Sequence, residues 1–208
     1  MKTIAESIFD KVVKDCFQKT LKPLGFKKRG NNFYLQLSEL GQIIHIQKSS
    51  YGTKSEISFT INIGIFIPEY FLAYYTYTTE IPDYPTEPSC AVRQRIGKLR
   101  GENDLWYTIN DNTNEHTLLT QMQENLSLFI LPYFSKTATK ELFIQALDTM
   151  QFNLSILGKL ILYGELKEFE KARKEYDTVV RENASIRVLN DARDLFVKYE
   201  LNLTDLIR

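Results

Sequence analysis

The chain has 208 residues, 26 Lys and Arg against 26 Asp and Glu, and an apolar share of 43%. Balanced charge excludes a global field that would steer it to nucleic acid or anionic lipid, and ordinary globular composition excludes disorder as the main state. Two cysteines, Cys16 and Cys90, in a chain this long exclude a disulfide scaffold.

The charge is unevenly spread. Residues 1–52 hold nine basic against four acidic groups, residues 53–112 five against eight, and residues 113–208 twelve against fourteen. Glu6, Asp10 and Asp15 interrupt any apolar leader at the N-terminus. The best apolar run, Leu154 to Tyr163, is short and carries Lys159. A cytoplasmic protein with no membrane partner is expected.

In chain order, residues 3–20 have the spacing of an amphipathic helix, with a capping box at Thr3 and Glu6 and one stripe of Ile8, Phe9, Val12, Val13, Cys16 and Phe17. Lys22-Pro23-Leu24-Gly25 ends it. Lys27-Lys28-Arg29 reads as a basic turn. The period then changes to two. Phe33, Leu35 and Leu37 alternate with Tyr34, Gln36 and Ser38, Leu40-Gly41-Gln42 reads as a turn, and Ile43 to Lys48 as the returning strand of a hairpin.

The clearest pattern follows. Ile57, Phe59, Ile61, Ile63, Ile65 and Ile67 take every second position, with Glu56, Ser58, Thr60, Asn62 and Gly64 between them. Such alternation predicts a strand covered on one face and wet on the other, as in an antiparallel sheet.

Residues 68–90 combine four prolines with Tyr70, Phe71, Tyr74, Tyr75, Tyr77 and Tyr84, an aromatic loop with a short helix after Pro68. Val92 to Leu99 and Asp104 to Ile109 read as two more strands around a turn at Gly101. From Asn114 the chain is helical. One stripe, Leu118 to Ile130, ends near Pro132, and a second runs from Leu142 to Met150. A third, Leu154 to Tyr163, is broken by Gly164. A fourth is Leu166, Phe169, Ala172, Tyr176 and Val180, and a fifth is Leu189, Ala192, Phe196 and Tyr199.

The prediction is an α+β fold, an antiparallel sheet of about five strands with an N-terminal helix and a C-terminal helical layer. An α+β core would span residues 1–134 and a helical extension residues 135–208.

Several strings occur in order: Leu21 to Lys28, Asn32-Phe33-Tyr34, Ile46 to Ser49, Phe59 to Gly64, Arg95 to Leu99, and Trp106. Together they resemble a bacterial family known as a domain of unknown function, DUF4304, over roughly the first two-thirds of the chain. The resemblance implies one fold unit and a bacterial source. It implies no activity, since the family carries no catalytic residues to transfer. Relatives carry two tryptophans where this chain has Trp106-Tyr107. Tyr163 to Ala172 separately resembles one helical hairpin of a tetratricopeptide repeat, and a single such unit makes no array.

Chemistry-bearing motifs are few. His45 and His116 have no ligand partners at metal spacing, so no metal is expected. No Walker loop, dinucleotide fingerprint or nucleophile elbow is present, so no cofactor is expected either. Gly97-Lys98-Leu99-Arg100-Gly101 lacks phosphate-loop spacing and reads as a turn. Cys16 belongs to a buried stripe, whereas Cys90 lies in a loop with Arg93 as the near positive charge.

One constellation remains. Opposite the isoleucine face, the sheet presents Tyr34, Gln36, His45, Gln47, Ser58, Thr60, Asn62 and either Arg93 with Arg95 or their neighbours, with Lys48 and Trp106 at its margin. Gln47, Lys48, Asn62, Arg95 and Trp106 are the candidate contacts for an anionic or planar ligand. The reading this favours is a non-catalytic binding protein, with a protein partner met through the aromatic loop 68–90 or the helical tail. The alternative is an enzyme on a phosphate-bearing or nucleotide-like substrate, with Arg95, Lys48 and Arg93 holding charge and Asp104 or Glu102 as base.

Overall fold

The computed structural model describes residues 2–149, 154–182 and 184–201. Helix α1 (Ile4–Lys11) begins at a reciprocal cap: Thr3 Oγ1 accepts from the Glu6 N–H at 3.2 Å, and Glu6 Oε2 accepts from the Thr3 N–H at 2.9 Å. It continues through a π-helical stretch, Val12–Gln18, into α2 (Lys19–Leu21). The predicted stripe is buried along its whole length, from Ile8 to Phe17. Gly25, at φ 91°, then turns the chain in a conformation that disfavours a side chain.

Strands β1 (Lys27–Arg29), β2 (Asn32–Gln36), β3 (Gly41–Lys48) and β4 (Ile57–Phe66) follow in antiparallel order. The basic run is thus a short edge strand rather than a turn, and three cationic residues on an edge discourage further pairing. Gly41 and Gln42 open β3 instead of turning. The reversal lies at 37–40, closed by the Leu37 N–H on the Leu40 carbonyl. Gly41 serves packing: a Cβ there would lie 2.5 Å from Cε2 of Tyr34.

Helix α3 (Pro68–Tyr74) has proline at its first position, where no N–H is missed. Strand β5 (Val92–Arg95), helix α4 (Ile96–Leu99) and strand β6 (Tyr107–Ile109) replace the two longer strands expected. The cause is a tight fold-back at Gly97, where a Cβ would fall 2.0 Å from the Asn103 carbonyl oxygen. Strands β5 and β6 pair end to end along the same edge of β4, opposite Ile65–Asn62 and Phe59–Ile57. The sheet has six strands, ordered β1-β2-β3-β4-β5 with β6 also on β4.

Helix α5 (Glu115–Glu124) is capped by Asn114 and runs through a second π-helical stretch, Asn125–Ile130, into α6 (Leu131–Ser135). Pro132 therefore sits inside the helical run and does not end it. The wider π turn before it loosens the i−4 spacing where the proline ring would otherwise collide. Helices α7 (Lys140–Leu147), α8 (Ile156–Glu165), α9 (Phe169–Arg181) and α10 (Ile186–Lys198) complete the chain. Met150, the last residue of the expected second stripe, lies outside the described residues.

The chain forms two compact units, residues 1–66 with 82–151, and residues 67–81 with 152–208. The first holds the sheet, whose isoleucine face meets α1: the Phe9 ring stands edge-on to Phe59 at 5.4 Å. In the second, Gly164 lies within α8 rather than breaking it. A Cβ at Gly164 would lie 2.4 Å from the Tyr199 ring, and Tyr199 Oη donates to Glu165 Oε1 at 2.8 Å. The α9 stripe is also rotated from the expected one. Ala172 and Val179 are buried, while Phe169 and Val180 are exposed.

Candidate functional site

Antiparallel register assigns side chains to faces. Phe59, Ile61, Ile63 and Ile65 oppose Lys48, Ile46, Ile44 and Gln42, and this is the face under α1. Thr60, Asn62 and Gly64 oppose Gln47, His45 and Ile43, and also meet Arg95 and Arg93 of β5. Gln47, Asn62 and Arg95 thus lie on one face of the sheet.

Two expectations about that face change. It is not an open, solvated surface: Thr60 is 0% and Asn62 5% exposed. Thr60 Oγ1 donates to the Leu105 carbonyl at 2.8 Å, and the Cys90 sulfur fills the space above Gly64, 2.4 Å from where a Cβ would lie. Hydrogen bonds and glycine clearance let a second layer close over a sequence that alternates like a half-wet strand. Lys48, moreover, belongs to the opposite face, its Nζ 4.1 Å from the Phe9 ring centroid. The structure does not bring it to Asn62 or Arg95.

A part-covered strip survives between two covering segments, 84–91 and 103–106. At its centre Asn62 Nδ2 donates to Gln47 Oε1 at 2.8 Å. Beside them Arg95 NH1 donates to Asp104 Oδ2 at 2.5 Å, and Trp106 Nε1 donates to the same oxygen at 3.0 Å. The guanidinium carbon stands 5.5 Å from the indole centroid. Arg95 and then Trp106 hold the Asp104 carboxyl below its ordinary value. Among the described residues the Arg95 side chain makes no other hydrogen bond. At the other end Glu87, buried, accepts two bonds from Arg93, Nε to Oε1 at 2.7 Å and NH2 to Oε2 at 3.0 Å.

Tyr84 anchors the 84–91 cover. Its hydroxyl donates toward the Asn32 carbonyl at 2.7 Å and accepts from the Arg29 N–H at 3.1 Å, while the ring meets Tyr34 at 5.6 Å. Tyr84, Glu87 and Asp104 as a charge partner for Arg95 are the contributors that sequence spacing missed. Nothing local pairs position 104 with 95; only the fold-back at Gly97 does.

The reactive groups are quiet. Cys90 is buried rather than loop-exposed, and burial raises its thiol well above the ordinary value, with Glu87 adding to the shift and Arg93 opposing it. Burial pushes Cys16 up to about 11. Burial also lowers His45, with Glu87 pulling the other way, so the imidazole is neutral at pH 7. No cluster of three His, Cys, Asp or Glu able to hold a metal ion occurs among the described residues. No helix among them is long and apolar enough to cross a membrane.

The family model described as a domain of unknown function, DUF4304, matches residues 17–136, and the chain belongs to that family. The match spans the sheet and both segments that cover the strip. No curated protein and no solved structure matches the chain.

Proposed function

We propose that this DUF4304 protein is a non-catalytic binding protein that holds a carboxylate or phosphate group of a ligand or partner on the strip formed by Gln47, Asn62, Arg95 and Trp106. One observation carries the reading. The Arg95 guanidinium lies at the strip with a single hydrogen bond spent, and that bond goes to an exposed loop carboxylate. Asp104 acts as the resident anion, and an incoming one shares or replaces it. Arginine suits this role because its planar fork matches two-oxygen acceptors. The Gln47–Asn62 pair, in which Asn62 is buried, adds a fixed amide edge next to it.

The chain has one tryptophan, so its emission reports on this strip alone. Titration with acetate and inorganic phosphate is expected to shift Trp106 emission in the wild type. Arg95→Ala abolishes the shift, and Asp104→Asn strengthens binding by removing the competitor. Emission that ignores both anions, or responds unchanged in Arg95→Ala, overturns the reading.

The enzyme alternative draws on the same guanidinium. Its suggested bases are engaged, Asp104 by Arg95 and Glu102 by Arg100 at 2.7 Å. Turnover of a nucleotide panel that is lost in Arg95→Ala would favour it over simple binding.

A further inference from the structure

Register places one row of polar side chains across the covered face: Asn32 of β2, His45 of β3, Asn62 of β4 and Arg95 of β5, each opposite the next. Most of the row has a side-chain hydrogen bond within the chain. Asn32 Nδ2 donates to the Arg29 carbonyl at 3.5 Å, Asn62 Nδ2 to Gln47 Oε1 at 2.8 Å, and Arg95 NH1 to Asp104 Oδ2 at 2.5 Å. His45 is the exception. It is half-buried, yet its imidazole makes no hydrogen bond among the described residues. A polar ring taken partly out of water without a partner is an open demand for one.

The surroundings say what kind of partner fits. In the sheet, His45 is bordered by Ile43 and Gln47 on its own strand and by Asn32 and Asn62 across, all uncharged. From the covering segment Glu87 acts on it, and that carboxylate already accepts two hydrogen bonds from Arg93. Burial outweighs Glu87, so the ring is neutral at pH 7. A neutral imidazole has one N–H donor and one acceptor nitrogen, and a hydroxyl group answers either. A second anion at this end of the row would meet the Glu87 carboxylate instead, at a cost in repulsion.

We infer that His45 is a further ligand contact of the strip, and that the ligand is a small anion carrying a hydroxyl group a few bonds from its charge, with Arg95 on the anion and His45 on the hydroxyl. The inference rests on the anion-binding role of Arg95 proposed above. Neighbouring strands lie about 4.8 Å apart, so His45 and Arg95, one strand to either side of Asn62, have Cα atoms about 10 Å apart. A ligand that meets both therefore extends beyond a single phosphate or carboxylate.

Glycerol 3-phosphate and propyl phosphate share the anion and differ in their hydroxyls. Trp106 emission reports binding of either, and proton NMR reports the ring. The chain has two histidines, and the exposed His116 is the internal reference. Glycerol 3-phosphate is expected to bind the wild type about tenfold more tightly than propyl phosphate, the worth of one hydrogen bond to a half-buried group. At constant pH it moves the His45 signal and leaves that of His116 in place. His45→Ala brings the two esters to equal affinity, and its retained binding of propyl phosphate shows that it is folded. His45→Gln, which also donates and accepts, keeps part of the preference. If the alanine variant misfolds, the ester preference and the His45 signal of the wild type decide. Equal affinity of the wild type for both esters, a His45 signal that glycerol 3-phosphate does not move, or a preference that survives in His45→Ala would overturn the inference and leave the role of Arg95 standing. Trp106 emission that ignores both esters would strike the role of Arg95 itself, and this inference with it.

Discussion

The two faces of β4 are both buried, yet different physics closes them. On one, Phe59, Ile61, Ile63 and Ile65 present a continuous apolar surface to α1 and its neighbours, and burial follows from removing that surface from water. On the other, Thr60, Asn62 and Gly64 offer two hydrogen-bonding groups and an empty space, and each is matched one to one, by Leu105, Gln47 and Cys90. The first face tolerates any partner of similar shape. The second works only with the partners it has, and at Arg95 the side-chain partner is the exposed carboxylate of Asp104.

That contrast sets an order of expected effects. Ile63→Ala removes a fully buried side chain and is expected to cost ~2–5 kcal/mol in denaturant unfolding. Gly64→Ala adds one methyl yet is expected to cost ~1–3 kcal/mol, because the new Cβ meets the Cys90 sulfur. Pairing it with Cys90→Ala recovers most of the loss, whereas a solvated face would accept Gly64→Ala without penalty. Asn62→Ala strands Gln47 Oε1 and is expected to cost ~1 kcal/mol, with a measurable coupling to Gln47→Ala in a double-mutant cycle.

The smallest effect is electrostatic. Asp104 is held below the ordinary aspartate value, so its bond to Arg95 is fully present above about pH 3.9 and is lost as pH falls through the lower folded value. Half-exposed partners limit its worth to stability, but Trp106 shares the carboxylate. Its emission is expected to titrate below that pH in the wild type and at a higher pH in Arg95→Ala. An identical midpoint in both would show that the guanidinium is not the partner.

Much of the fold was legible because its signals are local. The capping box at Thr3, the stripe of α1 and the period of two through β4 are read from residues close in sequence. The face shared by Gln47, Asn62 and Arg95 was also legible, since alternation along strands carries that information once pairing is assumed. Lys48, expected at the margin of that face, follows the alternation instead: next to Gln47 in the strand, it sits opposite Phe59 on the other face. The ends of β5 and β6 were misread because the signal for stopping is the close approach of the Asn103 backbone to Gly97, six residues away, which only a residue without a Cβ allows and no period encodes.

Sequence alone determined which strand side chains share a face and which helices are amphipathic. Only the tertiary structure decided that the polar face would be covered, that Asp104 would meet Arg95 and Trp106, and that Tyr70 would be buried while Tyr74 and Tyr77 stay exposed. The reason is physical. Periodicity reports how a residue sits in its own element, whereas burial of a polar face depends on whether a distant segment supplies a matching donor, acceptor or sulfur, and that match exists only once the chain has folded.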